Sequence, residues 1–249
     1  MAAPQFSPLD VNPETGELFL RLPHPHATII LTPPRTRDAE PIVDIMNDPA
    51  VYPFLGRPKM PYLLEAAVAL VAENKHASDA VIKALEDAAP DAFAEDCPVS
   101  SIREVLPDGT EVYIGSIRVK RCNWWEVQGA QRVRLMEQNA GRATGDPETV
   151  WQVSDYVASS HHRRGIMTAV LRTFLDQWAI PRMGVRHLHV SVFTGNEGSV
   201  RVFEKTGFVL VDTLENCIEI RGEMRGLHVM DWHHSGYSAA LVSCLFLRS

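Results

Sequence analysis

Several things that would fix the class of this protein at once are missing from its sequence. Its four cysteines, Cys97, Cys122, Cys217 and Cys244, form no close pair and no C-x-x-C. That excludes the usual zinc-knuckle and disulfide frameworks and fits a reducing, intracellular setting. No G-x-G-x-x-G or Walker-type sequence occurs, so nucleotide folds of those kinds are disfavoured. The start, MAAPQFSPLD, has neither a basic n-region nor an apolar h-region, so no secretory signal is expected. Near the end, AALVSCLFL is apolar but far shorter than the ~20 residues of a membrane span. Basic residues are also in deficit: Lys plus Arg is 24 against 31 for Asp plus Glu, a formal net charge of -7. A broad surface for nucleic acid is therefore excluded. The expectation is a soluble, cytoplasmic protein with neither nucleic acid nor membrane as partner.

What is there suffices for a core: 249 residues, 45% hydrophobic and 22% charged. Residues 1–25 are Pro-rich with turn signals and read as an arm or an edge strand. ATIILTPP is a strand stopped by two prolines. A helix is expected after Thr36, with Ile42, Ile45 and Met46 at helical spacing, and a second over YLLEAAVALVAENKHASDAVIKALEDA. The acid-rich segment from Glu86 to Pro98 reads as a solvated loop. VSSIREVLPDGTEVYIGSIRVKR is a hairpin turning at PDG. The next stretch, residues 121–149, has no steady periodicity and reads as an insertion loop or lid. Then follow strand VWQVSDYVAS, a helix from Arg164 to Ala179, strand RHLHVSVF, a helix from Glu197 to Thr206, and strands over FVLVDTL and about 217–232. This order implies an α/β fold, a mixed sheet flanked by helices on both faces.

Within it, HHRRGIMTAVL opens a helix whose buried stripe is Ile166, Val170, Phe174 and Trp178. The first backbone N–H groups of a helix lack internal partners and sit at the positive end of its dipole, so an anion satisfies them. Gly165 leaves room for a close approach, while Arg163 and Arg164 add positive charge. A strand running into such a cradle is a way to hold a diphosphate at the carboxyl edge of a sheet. The second constellation is TGNEGSVRVFEKTGF. Asn196 caps the helix, Val200 and Phe203 give its apolar face, and Gly207 ends it with Phe208 folding back. Ser199 has no structural role in that account.

Together, HRRGIM at residues 162–167 and NEGSVRVFEKTGF resemble the GNAT family of N-acetyltransferases, whose acetyl-CoA loop follows a (Q/R)-x-x-G-x-(G/A) pattern. His162 and Met167 depart from that pattern at its ends. The pairing is most similar to the branch containing the ribosomal-protein Nα-acetyltransferases. The resemblance spans roughly residues 26–232, with insertions near 60–110 and 121–149 and a tail from 233 to 249. It implies a mostly antiparallel central sheet and direct transfer of acetyl from acetyl-CoA to a primary amine, on a small molecule or a protein N-terminus. It also implies that His162 and the backbone of Arg163, Arg164, Gly165, Ile166, Met167 and Thr168 hold the CoA phosphates. Tyr156, Val157 and Ala158 would pair with the pantetheine arm, a backbone N–H near Val157 would stabilise the oxyanion, and Asn196 would touch the arm. Ser199 is the candidate acid at the thioester sulfur, and Asp155 the candidate base.

Two rivals stand beside this reading. One is a catalytically inactive CoA-binding sensor or scaffold with the same fold. The other is a metal site, for which ten histidines offer candidates, His187 and His189 on one strand face and the pairs His161/His162 and His233/His234. Strand histidines two apart are more often packed or solvated, so no metal is expected. The chain is expected to be a monomer or a homodimer.

Overall fold

The computed structural model describes residues 3–56 and 58–235. Nine strands form one sheet: β1 (Asp10–Val11), β2 (Leu18–Arg21), β3 (Ile29–Thr32), β4 (Ser101–Val105), β5 (Glu111–Arg121), β6 (Val150–Val157), β7 (His187–Phe193), β8 (Val209–Ile220) and β9 (Glu223–His233). Their order is β1-β2-β3-β4-β5-β6-β7-β9-β8. Every pairing is antiparallel except β6 with β7. The six helices among the described residues are α1 (Ala39–Asn47), α2 (Leu64–Glu86), α3 (Gly129–Ala140), α4 (Ile166–Phe174), α5 (Ile180–Met183) and α6 (Glu197–Lys205). This is the mixed, mostly antiparallel α/β sheet flanked by helices that the sequence implies.

The larger core lies under α4. Its stripe Ile166, Val170, Phe174 and Trp178 is at most 1% exposed and packs on Ile117, Val119, Trp151, Leu188, Val190 and Val192. A smaller core joins Ile42, Ile45 and Met46 of α1 and Ala67 and Val71 of α2 to Tyr113. Asp38, at the start of α1, receives both guanidinium nitrogens of Arg103 on β4, and Arg103 Nε donates to Thr32 on β3. Both ions are buried, and removing either partner would strand a charge away from water.

Four elements refine the sequence reading. The first 25 residues contribute β1 and β2, and Leu9, Leu18, Leu20 and Leu22 lie in the main core. The stretch expected to be an insertion loop contains α3. It docks through a polar residue: Asn139 accepts from Val150 N–H at 3.0 Å and donates to Val150 C=O at 2.8 Å. Val133 and Met136 of α3 face outward, so hydrophobic periodicity gives no helical signal there. The helix expected to stop at Ala179 continues through a wider turn at Leu175–Ala179 into α5, where Pro181 has no N–H to extend the regular ladder. Finally, β8 runs unbroken past 214, with a register shift between Leu214 and Ile218. Its turn to β9 is Arg221-Gly222, both at positive φ (55° and 83°), as a two-residue hairpin demands.

Candidate active site

β6 and β7 pair only at Val150↔His187 and Trp151↔Leu188. Beyond that they separate, leaving a cavity of about 360 Å³. Gln152 to Tyr156 line one wall and His189 to Phe193 the other, with Glu126, Asn196 and Ser199 completing it. Consecutive β6 residues all reach the cavity because the strand has lost its neighbour on that side.

The backbone of β6 is oriented by β5. Ile102 pairs with Gly115 and Arg103 with Tyr113, so Ile114 is an extra, bulged residue. Ala158 N–H donates to Ile114 C=O at 2.7 Å, which makes Gly115↔Val157 a pair that exchanges no hydrogen bonds. The N–H and C=O of Val157 therefore point away from β5, into the gap. Gly115 is needed for this close approach, since a Cβ there would stand 2.2 Å from Tyr156 O.

Past β6 the chain makes a short turn and enters α4. His162 Nε2 lies 3.0 Å from Val157 O, tying the loop to the strand end. Arg163 has φ 60° and Gly165 φ 75°, so two residues of three are left-handed just before the helix. For a non-glycine residue that conformation costs on the order of 1–2 kcal/mol, and such strain clusters at ligand-binding turns. A Cβ on Gly165 would meet only His26 Nε2, at 3.6 Å, so its positive φ, not crowding, selects glycine. The Ile166 and Met167 side chains are buried, which leaves only their amides for the loop surface. Arg164 pairs with Glu104 on β4 at 2.9 Å, and His161 Nε2 lies 3.0 Å from the same carboxylate.

Asn196 and Ser199 meet at the start of α6. Asn196 Oδ1 accepts from Ser199 N–H at 3.2 Å, which caps the helix, and both residues line the cavity. Asp155 lines it as well. It is half-buried, its remaining surface lines the cavity, and desolvation pushes its carboxyl up to about 6. The Tyr156 side chain is also in the cavity wall, its hydroxyl 2.7 Å from that of Tyr113. Burial raises the pKa of both phenols.

The cavity also holds a charged chain that sequence reading missed. Glu126 receives Ser191 Oγ–H at 2.9 Å and lies 2.9 Å from His189 Nε2, while His189 Nδ1 lies 2.7 Å from Asp231 Oδ1. Burial alone would lower the His189 pKa, but hydrogen bonds to Asp231 and Glu126 outweigh it and raise it to about 9. For Glu126, desolvation is likewise outweighed by the bonds from His189 and Ser191, and its pKa falls below the ordinary value. The imidazolium thus holds two carboxylates, leaving the trio with one net negative charge at the cavity wall. These residues lie 63 and 42 positions from His189, so no local spacing signals them.

An acetyltransferase (GNAT) domain model matches residues 28–209, most of the chain. The chain belongs to the GNAT acetyltransferases. It is thereby an acetyl-CoA-dependent acyltransferase. None of the curated proteins matches its sequence. Among solved structures, Mycobacterium smegmatis RimJ in complex with CoA-disulfide is 20% identical with a TM-score of 0.57, covering 87% of this chain and 86% of that one. The ribosomal-protein-S5-alanine acetyltransferase from Vibrio fischeri is 12% identical (TM-score 0.58; 88% and 98% covered). The Vibrio cholerae spermidine N-acetyltransferase in complex with CoA and spermine is 15% identical (TM-score 0.55; 84% and 96% covered).

In this acetyltransferase, the structure brings Asp155, Tyr156, Asn196 and Ser199 around one cavity, with Val157 and Ala158 at the adjoining strand end, His162 to Gly165 in the turn that follows and Ile166 to Thr168 opening α4. Arg164 is directed to Glu104. The histidine candidates separate too. His161 and His162 serve Glu104 and Val157, whereas His187 stacks on His233 and His189 is held by two carboxylates. Cys97, Cys122 and Cys217 are free thiols. Among the described residues no helix is long and apolar enough to cross a membrane. Residues 236–249 of the expected tail lie outside the described residues.

Proposed function

We propose that this enzyme moves the acetyl group of acetyl-CoA directly to a primary amine, on a small molecule or a protein N-terminus. One observation supports this above the others: an unpaired β6 flank runs from an amide-rich turn past the carboxylate of Asp155 to a cavity wall that holds Glu126. An extended ligand ending in a diphosphate fits that flank, because Val157 directs its N–H into the gap and the positive φ of Arg163 and Gly165 turns the backbone ahead of α4.

Bound there, acetyl-CoA supplies an activated acyl carbon. The amides from Arg163 to Thr168 hold its phosphates, with Arg163 adding charge, and Tyr156 to Ala158 pair with its arm. Asn196 uses its carboxamide oxygen for the cap and turns its NH₂ to the arm. Val157 N–H faces the acyl oxygen. At the acceptor side, an ammonium is drawn in by the net negative charge of the Glu126 trio, and Asp155 takes its proton. A carboxyl titrating near 6 is ionised at neutral pH yet more basic than an ordinary aspartate. Ser199 presents its hydroxyl to the departing sulfur. Neighbouring folds that act on spermidine and on a ribosomal-protein alanine support both amine classes.

The test is amine-dependent release of CoA by the purified protein across a panel of polyamines, small primary amines and N-terminal peptides. At least one amine is expected to accelerate release, with Ser199→Ala slower by about tenfold and Asp155→Asn slower still. Tight acetyl-CoA binding with no turnover on any amine would instead establish the inactive sensor.

A further inference from the structure

Behind the cavity wall, at the start of β7 and the end of β9, three metal-ligating side chains converge. His187 stands directly opposite His233 across the ladder, and His189 opposite Asp231. The His187 and His233 rings stack, with centroids 4.3 Å apart and planes 25° from parallel. Asp231 uses Oδ1 for His189, and its Oδ2 lies 3.7 Å from His187 Nε2, too far for a hydrogen bond. His187 is 6% exposed. Its Nε2, like His233 Nδ1, is shut off from solvent and has no hydrogen-bond partner among the described residues. Two buried imidazole nitrogens without hydrogen bonds, on stacked rings beside one carboxylate, are a costly arrangement. The ligand atoms offered by His187, Asp231 and His233 all lie within 4.8 Å of one another.

We infer that His187, Asp231 and His233 form a three-ligand site for a divalent transition metal of the zinc type. Two neutral imidazoles and one carboxylate oxygen are a donor set that zinc accepts, with a fourth position left for water. Bonds of about 2.0–2.1 Å would set the ligand atoms roughly 3.3 Å apart, so a bound metal would draw them in from the 4.8 Å within which they now lie. The outer shell is already in place: His189 holds the other oxygen of Asp231 and thereby fixes the ligand's orientation, as outer-shell partners of metal ligands do. The same contact links the site to Glu126 in the cavity. The metal would order the Asp231–His189–Glu126 chain without touching a substrate. The site shares Asp231 with the charged trio proposed above to draw in the amine, but its test reads metal binding and melting rather than amine turnover.

The experiment uses the full chain, freed of metal by dialysis against chelator and carrying no histidine tag. Titration with Co2+ alone is expected to give the visible absorption of a low-coordinate cobalt centre, saturating at one equivalent. Zn2+ should displace that signal and raise the melting temperature of the protein, since a ligand of the native state alone stabilises it. His187→Gln with His233→Gln should melt cooperatively without metal but lose both the cobalt band and the zinc-dependent shift, while His76→Asn, on the exposed face of α2, keeps both. Wild-type protein that gives no band and no shift overturns the site. So does a band that survives in the double variant. Should that double variant fail to fold, Asp231→Asn takes its place, with loss of the band expected and its retention counting against the assignment.

Discussion

The two ends of the β6–β7 gap are built in opposite ways. At the end proposed for the phosphates, the chain offers His161 to Thr168, mostly through backbone amides, and the nearby charges are exposed or paired near the surface. At the end proposed for the acceptor, Glu126, His189 and Asp231 come from three distant segments, are buried, and depend on one another for their charge states. A site made of backbone is written in consecutive residues and tolerates changes in most of its side chains. A site made of buried charges depends on the whole sheet and fails when one member is removed. The difference predicts which substitutions hurt binding, which hurt catalysis and which hurt the fold.

The sharpest way to break the comparison is at Gly165. Gly165→Glu puts a side chain at φ 75° and a carboxylate where the phosphates would sit. Acetyl-CoA binding by calorimetry is expected to be lost while the circular dichroism spectrum is kept. Undiminished affinity would remove the cradle.

Asp155→Asn should come next, lowering kcat/KM by about 10²-fold or more and removing the rise in rate with pH near 6 that the parent enzyme should show. Its effect on stability runs the other way. The folded pKa is raised above the ordinary value, so the native state binds the proton more tightly than the unfolded chain. The stabilisation from the neutral carboxyl is complete below the unfolded pKa and is lost as pH rises through about 6. Asp155→Asn, which stays neutral, is expected to melt higher than wild type at about pH 8, with the gap closing below about pH 4.

Glu126→Gln tests the acceptor end directly. Taking one charge from a buried set costs about 3 kcal/mol, measurable by urea unfolding, and KM for cationic amines should rise while acetyl-CoA affinity holds. A variant as stable as the parent with unchanged KM would dissolve the contrast between the two ends. The smallest effect belongs to Glu104→Gln, which releases Arg164 and His161 from their shared carboxylate. Stability should change by about 1 kcal/mol, as for ion pairs near the surface, and acetyl-CoA should bind slightly more tightly because Arg164 is freed.

The same contrast explains what could be read from the chain alone. The strand-to-helix turn at HRRGIM and the cap at NEGS are legible because a helix start is a local event, set by a glycine, a cap and a stripe. Asp155 is a candidate base through the family resemblance, but its raised pKa comes from burial in the completed fold, which no spacing encodes. Glu126 looked like one acid in an irregular stretch, and α3 behind it was hidden because it docks through Asn139 rather than an apolar face. His187 and His189 were read as a pair on one face, whereas the ladder partners them with His233 and Asp231 instead. Cross-strand partnership is a property of register, and register is fixed by the completed sheet.

The most direct test of the central claim is diffraction from crystals grown with coenzyme A. The account predicts its diphosphate on the amides of residues 163–168 and its arm extended along Tyr156 to Ala158, with the thiol beside Ser199. A diphosphate bound elsewhere on the sheet, or this loop closed by side chains at saturating ligand, would contradict it.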